Sequence, residues 1–202
     1  MVKKILSLLN IHPDKDQRIL LISLAVSGLL ITYTNPTLTK VLYSELPVEY
    51  LAFNHLALSL SGLFIGMLWR GSIRGKAIRY FAVLAITESL CGFILGLYLC
   101  FVEFSAWTYA IASLIYTTVI SFFVGKCVMA FKAKLWVEKE REVYDNNNSV
   151  VSSIVCITGY ALALIASPSL KVSLFLWAIC CILDDIGWVI VYLKNRENLK
   201  EC

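Results

Sequence analysis

Charge is what this chain has least of. Asp, Glu, Lys and Arg make up 16% of its 202 residues, against about a quarter in an ordinary soluble domain. With 59% hydrophobic residues and a mean hydropathy of +0.76, that scarcity excludes a soluble globular protein, which has no use for so much apolar surface. Histidine is scarcer still, with only His12 and His55. No CxxC pair, phosphate-binding loop, nucleotide fingerprint or haem motif occurs, so the sequence implies no cofactor, and any energy source is an ion gradient or a partner ATPase. Seven cysteines are present, but Cys91, Cys100, Cys127, Cys156, Cys180 and Cys181 fall within or at the edges of apolar segments and Cys202 is terminal. Vicinal Cys180 and Cys181 point to different sides of a helix. All seven read as small apolar packing residues.

What is there is apolar sequence in spans of membrane length. A helix needs about 20 apolar residues to cross a bilayer, and six such windows can be cut, at 19–40, 50–69, 78–101, 106–131, 149–167 and 172–193. The expectation is an all-α, polytopic membrane protein of six transmembrane helices. A segment 1–18 precedes the membrane domain, 19–193, and a tail of 194–202 follows it. The first window is too long for a signal-peptide core and lacks a small-x-small cleavage site, so it counts as structure.

The basic residues test this map. Lys3, Lys4, Lys15 and Arg18 precede the first window; Arg70, Arg74, Lys76 and Arg79 lie between the second and third. Lys126, Lys132, Lys134, Lys139 and Arg141 gather at and after the end of the fourth, and Lys194, Arg196 and Lys200 follow the sixth. Sixteen of the 18 basic residues thus fall on one side, leaving only Lys40 and Lys171 on the other. Cytoplasmic loops collect Lys and Arg, so both termini are expected in the cytoplasm of a cell with this protein in its inner membrane. The net charge of +4 reflects that bias and suggests no nucleic-acid partner.

The long connection 131–149 mixes Lys132, Lys134, Lys139 and Arg141 with Glu138, Glu140, Glu142 and Asp145, then meets Asn146-Asn147-Asn148. It reads as a cytoplasmic extension of the fourth span, with Lys134 paired to Glu138 at i+4. Leu135, Trp136 and Val137 would lie along the interface, and the helix would break at the asparagines.

Against this background three acids stand out. Glu88, Asp184 and Asp185 sit near the middle of apolar windows, where a charge costs several kcal/mol. Ala85, Glu88, Gly92 and Gly96 share one helical face, and Cys180, Cys181, Asp184, Gly187 and Trp188 another. Gly62–Gly66 and Gly92–Gly96 are both GxxxG, which permits close helix approach. His55, Lys126 and Lys40 all lie toward window ends, so no base is placed to neutralise the acids at mid-depth. At least one carboxyl then keeps its proton, since two adjacent acids do not both ionise cheaply. Two readings stay open. The acids serve proton coupling or the binding of a cationic cargo, or they hydrogen-bond hydroxyl and aromatic groups on neighbouring helices and fix packing.

The layout resembles one half of a major facilitator superfamily transporter. The residues that carry the likeness are Thr34-Asn35-Pro36-Thr37 near the outer end of the first window, a second window rich in Ser and Gly, and the stretch from Gly66 through Arg70-Gly71-Ser72-Ile73-Arg74-Gly75-Lys76. That stretch looks like the family's basic loop between spans two and three. Arg70 stands where the family has an acid, and the Arg74-Gly75-Lys76 run is shifted. The passage from Val128 through Glu142 to Gly159 looks like the family's route from span four to span five. The resemblance implies two inverted three-helix repeats and, for a lone six-helix half, a second copy or a larger membrane partner to close a path for a small-molecule or ion cargo. It also implies that the first and fourth helices line the cavity, which brings forward Tyr33, Asn35, Tyr116, Thr117 and Thr118. The third and sixth helices stand back, which argues against direct cargo contact by Glu88, Asp184 and Asp185.

Enzymatic readings fit poorly. Asp184-Asp185 is a single aspartate pair where intramembrane prenyltransferases use two aspartate-rich motifs on a larger bundle. His55 and Cys91 lie too far apart in depth for a membrane cysteine protease. The competing class is an accessory or substrate-binding subunit of a larger membrane complex.

Overall fold

The computed structural model describes residues 14–69, 76, 78–102, 105–116 and 122–197. These form seven helices and, among the described residues, no strand: α1 (Lys15–Glu45), α2 (Val48–Leu68), α3 (Phe81–Phe101), α4 (Ala106–Ile115), α5 (Phe122–Leu135), α6 (Glu138–Ile165) and α7 (Leu170–Asn195). Five of them, α1, α2, α3, α6 and α7, are long and apolar enough to cross a membrane. The basic stretch 70–75 and most of the two terminal segments lie outside the described residues.

Side-chain caps fix two of the starts. Asp14 accepts a 2.7 Å hydrogen bond from the Gln17 amide at the head of α1, and Ser169 accepts one from Val172 at the head of α7, each satisfying an amide that has no partner inside its helix. The fourth apolar window does not appear as one helix among the described residues. It holds α4 and most of α5, with 117–121 between them outside the description. The two pieces belong to opposite ends of the bundle. Tyr109 of α4 packs with Leu38, Leu99 and Leu174, whereas Phe131 of α5 packs with Leu20, Phe81 and Tyr192.

The connection 131–149 also differs from expectation. The break comes at Trp136-Val137, and α6 runs from Glu138 straight through Asn146-Asn147-Asn148 to Ile165. The polar stretch therefore extends the fifth apolar segment at its start instead of forming a helix that ends at the asparagines. Asn costs a helix only a few tenths of a kcal/mol, and this one is held along its length. Glu140 accepts from the Val137 amide at 3.2 Å, the Gln17 side chain donates to the Glu140 carbonyl at 3.1 Å, and Tyr144 and Asn147 are buried. Lys132, not Lys134, makes the ion pair here, 2.6 Å from Asp145. Trp136 is buried against Tyr144, with ring centroids 5.0 Å apart, so it belongs to the core and not to an interface.

Helix α7 lies between α1 and α3, and α6 covers α1. Close approach is possible because small residues meet at each crossing. A Cβ on Gly187 would sit 2.7 Å from Ser23 Cβ, one on Gly96 2.6 Å from Ala178 Cβ, and one on Gly92 2.7 Å from Cys181 Sγ. On the α1–α6 contact, a Cβ on Gly159 would lie 2.8 Å from Thr32 Cβ, and one on Gly28 3.0 Å from Val155 Cγ1. The two GxxxG pairs part company. Gly92 and Gly96 are packing positions, whereas a Cβ on Gly66 would meet nothing within 4 Å. Among the described side chains of α2, Phe53, Leu56, Leu60, Leu63, Phe64 and Met67 are each more than half exposed.

One end of the bundle collects the start of α1, the end of α7, the start of α3, the end of α5 and the start of α6. Asp16 holds Lys194 and, at 2.8 Å, Asn195. Tyr192 donates to the Arg79 carbonyl at 2.7 Å, and Phe81, Phe131, Trp136, Tyr144 and Tyr192 form an aromatic cluster between the helices. The other end is tied more lightly, by Tyr33 donating to the Ala166 carbonyl at 2.9 Å and Thr37 to the Pro168 carbonyl at 3.1 Å.

Candidate functional site

Midway along the bundle, α1, α3 and α7 meet at a group of acids and small hydroxyl residues. The side chains come from points some 10–18 Å of helical rise in from the basic end. Consecutive residues of a helix are about 100° apart, so Asp184 and Asp185 address different neighbours. Ser27 of α1 donates to Asp184 at 3.1 Å, and Ser89 of α3 donates to Asp185 at 2.9 Å. The cysteines just before them divide likewise. Cys180 points to α1, its thiol 3.3 Å from the Ser27 carbonyl, and Cys181 fits against Gly92 of α3 and is a hydrogen-bond partner of Tyr116. A further tie, Ser23 donating to the Leu183 carbonyl, holds α1 on α7 one turn away.

The three acids differ in access. Glu88 and Asp185 are buried, at 5% and 7% exposure, while Asp184 is exposed in spite of its hydrogen bond. The face of α7 that packs on protein is therefore Cys180, Cys181, Asp185 and Gly187; Asp185 takes the place expected for Asp184, because it stands one turn from Cys181 and shares its contact with α3. On α3 the expected face of Ala85, Glu88, Gly92 and Gly96 is buried as a set. Among the described residues, hydroxyl groups partner the two aspartates. Among the described residues no group of three or more His, Cys, Asp or Glu is arranged to hold a metal ion.

The other residues singled out in the sequence lie apart from one another. Tyr33 faces the α6–α7 turn and bonds Ala166. Asn35 is exposed and accepts from Thr39 at 3.3 Å. Tyr116, at the end of α4, reaches the acid group through Cys181 and packs edge-on to Trp177 with centroids 6.1 Å apart. Thr117 and Thr118 lie outside the described residues. Sequence reasoning passed over Ser27 and Ser89. The signal was there in part: Ser23 and Ser27 are four residues apart among leucines and isoleucines, a polar stripe that needs a facing partner in lipid.

No protein family, curated protein or solved structure matches this chain.

Proposed function

We propose that this chain is a half-sized secondary carrier of the inner membrane that moves a small solute in step with a proton or a cation, acting as a homodimer or with a larger membrane partner. The observation that carries the reading is Asp184: a carboxylate at mid-bundle, exposed, held by one serine hydroxyl and flanked by the buried Asp185. A carboxyl at that depth, held by a hydroxyl and beside a second acid, is suited to exchange a proton or accept a cation, and in a membrane this chemistry belongs to ion and substrate pathways. Glu88 and Asp185 then tune the charge that Asp184 feels.

In this reading residues 106–135 make the sixth crossing as two helical pieces, since α4 and α5 stand at opposite ends. The start of α1 and the end of α7 share one end, tied through Asp16 to Lys194 and Asn195, and in this reading that end is cytoplasmic by the positive-inside rule. The crossings form two inverted three-helix repeats, and Asn35, Tyr116, Thr117 and Thr118 face the solute path, while Tyr33 is drawn to the α6–α7 turn. Catalysis is no part of the proposal. A second reading, an accessory or substrate-binding subunit of a larger complex, is favoured by the exposed apolar side chains of α2.

The test is purified chain in proteoliposomes carrying a pH gradient and an internal pH dye, challenged with a panel of small organic cations, anions and neutral solutes. At least one solute should dissipate the gradient, Asp184→Asn should abolish this, and Glu88→Gln should remove its pH dependence. If no solute moves protons and native mass measurement finds the chain bound to a different membrane protein, the accessory reading replaces the carrier.

A further inference from the structure

Away from the acids, α1, α6 and α7 enclose a second feature. Helices α1 and α6 touch closely at Gly28–Val155 and Thr32–Gly159. Beyond that contact lies a cleft of about 370 Å³, lined by Leu29, Leu30 and Tyr33 of α1, Leu162 and Ile165 of α6 and Leu176 of α7. Its volume falls in the range of small-molecule sites, about 300–1,000 Å³. The one polar atom the lining side chains carry, the Tyr33 hydroxyl, is spent on the Ala166 carbonyl. Ser167 is likewise spent, on Ala163 at 2.8 Å, and Thr37 ties the next residue, Pro168, to α1. The α6–α7 turn is thus held as a cap, and nothing beneath it offers a hydrogen bond to a polar solute. A polar or hydrated occupant would lose its hydrogen bonds there.

Three helices able to cross a membrane form this cleft, and Ile165 of its lining and Leu164 beside it are 84% and 88% exposed. With these helices crossing a bilayer, as proposed above, such exposed apolar side chains face lipid. We infer that the cleft is a binding site for one acyl chain of a bilayer phospholipid, which enters sideways beneath the α6–α7 turn and fills the space between α1, α6 and α7. The shape, apolar lining and satisfied rim fit a flexible hydrocarbon chain, and the site is independent of the acid group.

The experiment is photolabelling of the full chain in vesicles of phosphatidylcholine doped with a phosphatidylcholine bearing a diazirine on one acyl chain, with labelled peptides mapped by mass spectrometry. Labelling should concentrate on 29–33 and 162–166 and fall at least several-fold in Leu162→Trp, which fills the cleft, while Leu164→Trp, outside it, leaves labelling unchanged. Labels spread evenly over exposed apolar residues, including Leu60 and Leu63 of α2, would overturn the site. A diazirine fatty acid that labels the cleft when the phospholipid does not would overturn the phospholipid assignment. Wild-type labelling alone decides the case if Leu162→Trp does not fold.

Discussion

Two glycines that look alike in the sequence, Gly96 and Gly66, each closing a GxxxG, are expected to respond oppositely to the same substitution. At Gly96 an added Cβ would lie 2.6 Å from Ala178 Cβ, 3.0 Å from Ala178 Cα and 3.1 Å from Trp177 Cε3. Two of those atoms are backbone or Cβ and cannot swing aside, so α3 and α7 must separate by a few tenths of an ångström along their whole contact. Overpacking of that kind costs about 1–3 kcal/mol. At Gly66 nothing lies within 4 Å, so alanine brings no clash. Both substitutions gain helix propensity, about 1 kcal/mol, and in the difference between them that gain cancels. Gly96→Ala should therefore be less stable than Gly66→Ala by about 1–3 kcal/mol. For a chain of this length that corresponds to roughly 2–12 °C in Tm, at about 2–4 °C per kcal/mol. Thermal unfolding of both variants in one detergent, followed by circular dichroism, measures it directly. Equal Tm values would refute the α3–α7 packing that positions Ser89 against Asp185. Gly96→Leu extends the series and should fail to fold, while Gly66→Leu should be tolerated.

Three more outcomes follow from individual contacts. Ser89→Ala should cost about 1–3 kcal/mol, because it leaves the buried Asp185 carboxyl without its 2.9 Å donor; in an Asp185→Leu background the same change should cost almost nothing, and a cycle showing no coupling would contradict the bond. At the basic end Asp16 is 12% accessible and holds two partners, whereas Lys194 is 52% accessible. Lys194→Ala should thus cost under about 1 kcal/mol, Asp16→Ala should cost more, and chemical unfolding that ranks them the other way would count against this end of the fold. Ser173 is fully buried and its hydroxyl has no hydrogen-bond partner among the described residues, so Ser173→Ala should leave Tm unchanged or raise it. A fall would reveal a partner for the hydroxyl.

The sequence read helix content and membrane-length segments well, because a 20-residue apolar run has few other uses. It read one joint poorly. At Asn146–Asn148 three poor helix formers suggested a break, yet α6 runs straight through them. Contacts made far along the chain, Gln17 with Glu140 and Tyr144 within the aromatic cluster, outweigh a local preference of a few tenths of a kcal/mol per residue.

The acid group shows where a pattern stops and geometry begins. Spacing alone put Glu88 on the face of Ala85 and Gly92, and the bundle buries that face. For the aspartate pair spacing put Asp184 on the face of Cys180, Cys181 and Gly187, and the bundle buries Asp185 there instead. Which of them is buried depends on where α3 lies around α7, and this is set by Gly92 against Cys181 and Gly96 against Ala178, pairs separated by some eighty residues of chain. Once those contacts fix the rotation of α7, Asp185 must face Ser89, Cys180 must face α1, and Asp184 is left at the edge of the α1 contact with Ser27. The setting of Asp184 is thus a consequence of two glycines of α3 packed on Cys181 and Ala178, on another face of α7. Enlarging Gly92 or Gly96 should alter the chemistry at Asp184 without touching it.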